Sequence, residues 1–278
     1  MSSTASSKPR PQDLINRDRY PITSRDSKAY RDLVATCRAQ LADIGASEIP
    51  EFTTAAATAA MCVEADELAR VAFRSTVVGN AWLTPIDETL PADDPRRMTE
   101  STTLGAVAYD QFPKDSLTRM VYEWDPLREF IADVLSVPVL HRYGDPMGAL
   151  NISVMEDGDY LRWHFDQTDF VTSIALQTPE SGGEFEFVPR IRQPGNENLK
   201  GIRSLLKGDR TGVRTIANHP GTLLLFQGRY SIHRVTPIGG KKLRHMALLG
   251  YDTKPGVMSS EHLHYMRYGR TVAGAGKS

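Results

Sequence analysis

The chain lacks several features that would assign it to a specialised class of protein. Its 278 residues include only two cysteines, Cys37 and Cys62, which are too few for a disulfide framework and favour a reduced, cytoplasmic protein. No run of eighteen apolar residues is present, so the sequence predicts no membrane-spanning helix. The formal net charge of −1 gives no electrostatic reason to expect a nucleic-acid or membrane partner. Internal repeats are also lacking.

The two ends of the chain are poor in apolar residues. The N-terminal sequence M-S-S-T-A-S-S-K-P-R-P contains no apolar segment of the kind found in signal peptides, and we expect residues 1–20 to form a flexible lead. Residues 256–278 are predicted to be a C-terminal extension, ending in the loose sequence A-G-A-G-K-S. Between them we predict a helical region (21–145) packed on a jelly-roll catalytic core (146–255), all within one domain.

Apolar residues in the first half of the chain recur at helical spacing. This periodicity predicts helices over Ser27–Ile44, Thr53–Phe73 and Thr118–Leu135, the last with a break near Asp125–Pro126. The segment 85–100 holds three prolines and several acidic residues, so it is predicted to be a loop.

From Leu150 onward, short apolar runs alternate with glycine, proline and aspartate. These runs predict seven strands, at Ala149–Met155, Arg162–Phe165, Phe170–Gln177, Glu184–Val188, Thr222–Phe226, Ile232–Val235 and Arg244–Tyr251. Many short strands with turn signals indicate a mostly β fold with flanking helices, namely a jelly-roll barrel or double-stranded β-helix. Residues 190–218 are predicted to form a long polar insertion of undetermined role.

Four residues carry the chemistry of this sequence. His164 and Asp166 stand in R-W-H-F-D-Q-T, His233 stands in S-I-H-R-V-T-P, and Arg244 follows it after ten intervening residues. Two imidazoles and one carboxylate form the facial triad that holds non-haem Fe(II) and leaves coordination positions open. Residues i and i+2 of a strand share a face, so His164 and Asp166 can bind one metal ion. An arginine is suited to pair with a carboxylate through two hydrogen bonds.

The order and spacing of these residues resemble those of the Fe(II)/2-oxoglutarate-dependent oxygenases. The similarity covers roughly Leu150 to Asp252 and includes P-G-T-L-L-L-F before the distal histidine. The segments H-F-D-Q-T-D-F-V-T-S-I-A-L-Q and E-S-G-G-E-F-E-F-V-P-R-I-R more specifically resemble a branch that acts on free amino acids. That branch includes amino-acid hydroxylases, halogenases and aziridine-forming enzymes of secondary metabolism.

The resemblance implies a role for each residue of the motif. His164, Asp166 and His233 would hold Fe(II), with 2-oxoglutarate and O2 as co-substrates, and Arg244 would pair with the far carboxylate of 2-oxoglutarate. Asn151 is a candidate for a further contact to 2-oxoglutarate or for a turn cap, and Thr236 is a weaker candidate for the same carboxylate. Halogenating relatives replace the carboxylate ligand with a small residue, so Asp166 argues instead for hydroxylation, desaturation or oxidative ring closure such as aziridine formation.

Strand alternation bears on the substrate. Met246 and Leu248 share the face of Arg244, so the reacting part of the substrate is predicted to be aliphatic, and a small free amino acid such as valine or isoleucine is the expected substrate. Arg74 and Glu123 are candidates to bind its carboxylate and amino groups, with surface roles as the alternative. Two residues that flank the ligands are candidates for the mouth of the pocket, namely Arg162 and Gln167.

Two other functions fit parts of the same pattern. A cupin-type metal dioxygenase or isomerase shares the barrel but usually uses more histidines and does not need Arg244. A non-catalytic small-molecule binding protein can also be built on this barrel. The sequence does not determine the oligomeric state, the exact substrate or the reacting carbon.

Overall fold

The computed structural model describes residues 9–272. The start of the predicted lead (1–8) and the end of the predicted extension (273–278) lie outside the described residues. The α-helices are α1 (Pro11–Leu14), α2 (Lys28–Ile44), α3 (Ala55–Ala69), α4 (Leu117–Glu123), α5 (Asp125–Leu135), α6 (Leu199–Leu206) and α7 (Glu261–Tyr268). Short 3-10 helices occupy Pro95–Arg97 and Tyr109–Gln111.

Residues 9–272 also form fifteen strands. In chain order they are β1 (Ala46–Ile49), β2 (Phe73–Gly79), β3 (Glu100–Val107), β4 (His141–Arg142), β5 (Leu150–Met155), β6 (Leu161–His164), β7 (Val171–Gln177), β8 (Ser181–Gly182), β9 (Phe185–Val188), β10 (Arg214–Ile216), β11 (Leu223–Phe226), β12 (Ile232–Val235), β13 (Ile238–Gly239), β14 (Arg244–Leu249) and β15 (Tyr251–Asp252).

The strands form two main antiparallel sheets. The larger has the order β1-β11-β7-β14-β5-β3-β2, and the smaller has the order β10-β9-β12-β6. Successive strands of the core therefore cross between the sheets, as in a double-stranded β-helix. This confirms the predicted fold class, and all seven predicted core strands are present within two residues of their predicted ends.

Residues of the larger sheet alternate between two environments. On β11, Leu223 and Leu225 pack against the helices, whereas Leu224 and Phe226 line the space between the sheets. The outer apolar residues join side chains of α2, α3 and α5, such as Leu41, in one buried cluster. Each fully buried aliphatic side chain contributes roughly 1.5–3 kcal/mol to stability. The helices therefore hold the sheet from outside and leave its inner face for the site.

Some predicted boundaries differ from the structure. Residues 9–20, predicted to be part of a flexible lead, are ordered, and Leu14, Ile15 and Tyr20 are buried in the same cluster as the helices. The predicted Thr53–Phe73 helix ends at Ala69, and Phe73 begins β2. The predicted helical region also contributes β1, β2 and β3 to the larger sheet.

The insertion and the C-terminal extension both contain secondary structure that the sequence did not predict. The insertion 190–218 contains α6 and β10, and β10 is the edge strand of the smaller sheet. The described part of the C-terminal extension contains α7, which contacts β2 and β3. Within residues 9–272, no helix is long and apolar enough to cross a membrane.

Candidate active site

The three predicted metal ligands meet at one end of the smaller sheet. His164 is the last residue of β6 and His233 lies directly opposite it on the neighbouring strand β12. Asp166 lies two residues beyond the end of β6, and its backbone N–H donates to the Gly228 carbonyl at 3.1 Å. The strand pairing therefore brings the histidines together, and the link to Gly228 holds the aspartate beside them.

The donor atoms of the three side chains converge. Asp166 Oδ1 lies 3.8 Å from His164 Nε2 and 3.5 Å from His233 Nε2. All three ligand atoms lie within 4.8 Å of one another. His164 and His233 are buried, and Asp166 is half-buried. Two imidazole nitrogens and a carboxylate oxygen at such separations form the donor set of a facial triad.

Backbone contacts prepare both imidazoles for metal binding. The Nδ1 of His164 lies 2.9 Å from the Arg162 carbonyl, and the Nδ1 of His233 lies 3.0 Å from the Ser231 carbonyl. A carbonyl only accepts, so each Nδ1 carries the proton and each Nε2 keeps its lone pair. Burial, together with the nearby His233, lowers the pKa of His164 to about 3, so this ring is neutral at physiological pH.

Asp166 also fits the role of a ligand. Burial acts to raise its pKa, but the neighbouring imidazoles and, more weakly, Arg267 lower it below the usual value, so the carboxylate is ionised at neutral pH. Its Oδ2 atom is buried and has no hydrogen-bond partner among residues 9–272. A buried carboxylate oxygen without a donor is costly unless a cation is bound. The residues present therefore fit Fe(II).

Arg244 is a buried cation at the start of β14. Only 4% of it is exposed, its Nε donates to the Gly183 carbonyl at 3.2 Å, and Nη1 lies 3.7 Å from Met155 Sδ. No carboxylate in the described part of the chain forms an ion pair with it. Burial lowers its pKa to about 10, so it stays charged at neutral pH. An unpaired buried guanidinium is strongly destabilised and calls for an anionic ligand.

A cavity of about 590 Å³ joins the triad to Arg244 between the two sheets. Among the residues predicted from the sequence, this cavity is lined by Asn151, Gln167, Met246 and Leu248 in addition to the four motif residues. Their neighbour His245 points away and lies 2.8 Å from Asp66 on α3. Strand alternation thus places the side chains of β14 as predicted.

Four other predicted site residues do not line the cavity. The Thr236 hydroxyl is committed to Glu184, from whose backbone N–H it accepts at 3.0 Å. Arg74 donates to Asp159 at 2.8 Å and also pairs with Glu156. The two remaining residues have local partners as well: Glu123 lies 2.8 Å from Arg119 Nε, and Arg162 donates to Thr102 Oγ1 at 3.0 Å.

The cavity has further walls that the sequence reasoning missed. The segment from Val257 to Tyr268 lines it, including His262, Leu263 and Arg267 of α7. Asn218 lines it from the end of the insertion; its residue is 3% exposed, its φ is +47°, and both amide atoms lack partners within residues 9–272. The H-L-H sequence at 262–264 is the signal that this helix carries, and by itself it is equally compatible with a surface role.

Most of the chain matches the model of a known protein family. Residues 30–266 match the family model described as halogenase D. A search of curated proteins finds no match.

Similar folds occur among solved structures. An oxidoreductase of the 2OG-Fe(II) oxygenase family from Burkholderia pseudomallei has a TM-score of 0.51 and 15% identity, over 81% of this chain and 92% of its own. AviO1 from Streptomyces viridochromogenes Tue57 has a TM-score of 0.54 and 15% identity, over 81% and 97%. SnoK, described as a non-heme alpha ketoglutarate dependent carbocyclase from nogalamycin biosynthesis, has a TM-score of 0.56 and 15% identity, over 88% and 95%. At these identities the likeness establishes the fold.

Proposed function

This chain belongs to the halogenase D family, and from that premise we propose that it is an Fe(II)/2-oxoglutarate-dependent dioxygenase. Its substrate is a small, aliphatic free amino acid of specialised metabolism, oxidised at an unactivated C–H bond. The observation that carries this proposal is the pairing of a buried His164–Asp166–His233 cluster with the unpaired guanidinium of Arg244 across one cavity. A metal site with open positions and an anion clamp are the two parts that this chemistry requires.

Each residue has a defined task in this proposal. His164, Asp166 and His233 hold Fe(II), and Arg244 pairs through two hydrogen bonds with the far carboxylate of 2-oxoglutarate. When bound, Fe(II) and 2-oxoglutarate would activate O2 for the oxidation of the substrate. The protein orients the substrate and excludes water. Asn151 lines the same cavity on β5, and its side-chain amide is available to 2-oxoglutarate.

Asp166 supports C–H oxidation over halogenation. A halogenating site needs a position for halide where the carboxylate would bind iron, and here the carboxylate occupies that position beside both imidazoles. The outcome is therefore hydroxylation or oxidative cyclisation, such as aziridine formation, although the family carries the name of a halogenase. Incorporation of chlorine into the product, in the presence of chloride, would contradict this choice.

The cavity wall supports an aliphatic substrate. Met246 and Leu248 line it on the strand that carries Arg244, Phe170 and Val171 line it at the start of β7, and Leu224 lines it from β11. No carboxylate other than Asp166 lines the cavity in the described part of the chain, which disfavours a lysine-like side chain with a distal ammonium group. The free cysteines Cys37 and Cys62 support a reduced, cytoplasmic setting.

Substrate-stimulated turnover of 2-oxoglutarate tests the proposal. Succinate formation is measured with each of the twenty amino acids and compared with peptides and nucleosides. We expect valine or isoleucine to stimulate succinate release most strongly, with product oxidised by one oxygen equivalent or cyclised. Strongest stimulation by lysine or a peptide would refute the aliphatic substrate. Tight binding without succinate release would favour a non-catalytic binding protein, and product formation without 2-oxoglutarate would favour a cupin-type enzyme.

A further inference from the structure

The C-terminal helix α7 has two faces with different surroundings. His264 and Tyr268, four residues apart, are buried; His264 Nε2 lies 2.8 Å from Asp145 Oδ2, and Tyr268 also reaches the cavity wall. Leu263 and Arg267, also four residues apart, line the cavity. Residues at i and i+4 lie on the same face of a helix, so docking through the first pair fixes the direction of the second.

Several hydrogen bonds hold α7 in place on the body of the protein. Asp145 is 1% exposed and also accepts from the backbone N–H of Ser259 at 3.0 Å, just before the helix. The Ser260 side chain caps the helix by accepting from Leu263 N at 3.2 Å, and Gly269 ends it in the left-handed region at φ +66°. The cavity-lining face of α7 is therefore a built part of the wall.

Arg267 is an exposed cation at the rim of the cavity that forms no ion pair in the described part of the chain, although its charge acts weakly on Asp166. Arg270, three residues further on, donates to both carboxylate oxygens of Asp110, at 2.6 and 2.7 Å. By contrast, Arg267 forms no ion pair with any of residues 9–272. The exposed apolar side chains of Met258 and Leu263 line the same cavity. A ligand that covers them removes water from the guanidinium and strengthens an ion pair there.

One positive side chain of the cavity has no counter-ion among the described lining residues, the metal and 2-oxoglutarate. Apart from histidines, its charged lining residues within the described chain are Asp166, Arg244 and Arg267. In the proposed complex, the two positive charges of Fe(II) and that of Arg244 balance Asp166 and the two carboxylates of 2-oxoglutarate. Arg267 then has no counter-ion. Its guanidinium is therefore available to a carboxylate other than those of 2-oxoglutarate.

We propose that Arg267 binds the carboxylate of the substrate and thereby sets its orientation toward the metal. This inference rests on the proposed function and assigns to α7 the role that sequence reasoning gave to Arg74, whose guanidinium is paired with Asp159. The carboxylate lies at the α7 wall, and the aliphatic side chain extends toward Met246 and Leu248. The site selects small aliphatic amino acids by their carboxylate, and among residues 9–272 no carboxylate besides Asp166 lines the cavity.

A comparison of substrate and protein variants tests this pairing. Dissociation constants of L-valine, L-valinamide and 3-methylbutanoate are measured by anaerobic titration of the enzyme loaded with Fe(II) and 2-oxoglutarate. The protein variants are Arg267→Gln, Arg267→Lys and the control Arg270→Gln, which removes a paired arginine from the same segment. Affinity for 2-oxoglutarate and iron content are measured for every variant.

We expect the wild type to bind valine about tenfold more tightly than valinamide, because the bound ligand covers an arginine that is exposed in the ligand-free protein and so strengthens the ion pair. Arg267→Gln weakens valine binding about tenfold and leaves valinamide binding and 2-oxoglutarate affinity unchanged. Arg267→Lys restores part of the preference, and Arg270→Gln behaves as wild type. Equal losses for acid and amide, or no loss for either, would overturn the role of Arg267.

The same titrations separate this inference from the proposed function. Binding of 3-methylbutanoate but not of valine would refute the amino-acid substrate while leaving the carboxylate pairing testable in the Arg267 variants. Failure to bind either acid would overturn both the substrate class and the pairing. Failure of the wild type to bind iron or 2-oxoglutarate would refute the oxygenase itself, and with it the charge balance behind Arg267.

Discussion

If Arg244 binds the far carboxylate of 2-oxoglutarate, removing its charge should stabilise the ligand-free protein but weaken the binding of 2-oxoglutarate. Replacing Arg244 by methionine removes the buried charge and keeps an unbranched side chain. Burial lowers the Arg244 pKa from 12.5 to about 10, which corresponds to about 3 kcal/mol of destabilisation of the charged form. Loss of the hydrogen bond to Gly183 costs about 2 kcal/mol in return.

The ligand-free Arg244→Met protein is therefore expected to be more stable than the wild type by on the order of 1 kcal/mol. Its affinity for 2-oxoglutarate falls, because breaking a buried ion pair costs about 3–5 kcal/mol, or roughly a hundredfold to a few thousandfold. Urea unfolding of the ligand-free protein and anaerobic titration of the Fe(II) form with 2-oxoglutarate measure the two effects.

Lys242→Met is the matched control, since Lys242 precedes the same strand and is exposed. It should leave both the unfolding free energy and the 2-oxoglutarate affinity within the scatter of surface substitutions, about 0.5 kcal/mol. An Arg244→Met protein that is several kcal/mol less stable, with unchanged affinity for 2-oxoglutarate, would show that the arginine is structural. The clamp would then have to be sought elsewhere.

Three further predictions address the metal, the pocket and the C-terminal helix. Alanine at His164, Asp166 or His233 should abolish iron binding and turnover with an unchanged circular dichroism spectrum, because the strands close without metal; a fully active Asp166→Ala enzyme would refute the triad. Leu248→Phe should reduce succinate release with isoleucine more than with alanine, since added volume is poorly tolerated in a packed pocket, and equal reductions would count against it. Burial acts to raise the pKa of Asp145, but hydrogen bonds from His264 and backbone N–H groups lower it to about 2. Asp145→Asn should therefore cost about 2 kcal/mol at pH 7, and this difference in unfolding free energy should shrink as the pH falls from about 4 towards 2; a difference constant down to pH 2 would contradict it.

The parts of the site that depend on strand periodicity were predictable from the sequence. His164 and Asp166 are two residues apart, and Met246 and Leu248 follow Arg244 on alternate positions, so local geometry alone places each group on one face. The seven core strands were predictable for a similar reason, because apolar runs bounded by turn residues report local structure.

The wall formed by α7 was not predictable in the same way. Its position depends on the contact of His264 with Asp145, which is 119 residues distant in sequence. Periodicity carries no information about such a contact, and a His-x-His sequence near a chain terminus is equally compatible with a surface role. The same holds for Arg74, whose charge is committed to Asp159, 85 residues away.

The N-terminal segment illustrates a different limit. Leu14, Ile15 and Tyr20 are isolated apolar residues in a polar context, so the sequence around them resembles a flexible lead. In the structure all three are buried in the apolar cluster that also contains side chains of the helices, and the Tyr20 hydroxyl donates to the Pro50 carbonyl. Burial of single residues by distant partners is a tertiary effect that leaves little trace in local composition.

The close approach of Gly228 to Asp166 bears on how this family can diverge. A Cβ atom at residue 228 would lie 1.7 Å from Asp166 Oδ2 and 2.5 Å from its Cγ, so any residue other than glycine at 228 must push the carboxylate out of its position. Loss of the carboxylate would remove the two closest of these contacts and open volume beside the two imidazoles, while the Cβ of residue 166 would still lie 2.9 Å away. Positions 166 and 228 are therefore coupled: an aspartate ligand at 166 in this position requires a glycine at 228, and a side chain at 228 acts directly on the metal ligand.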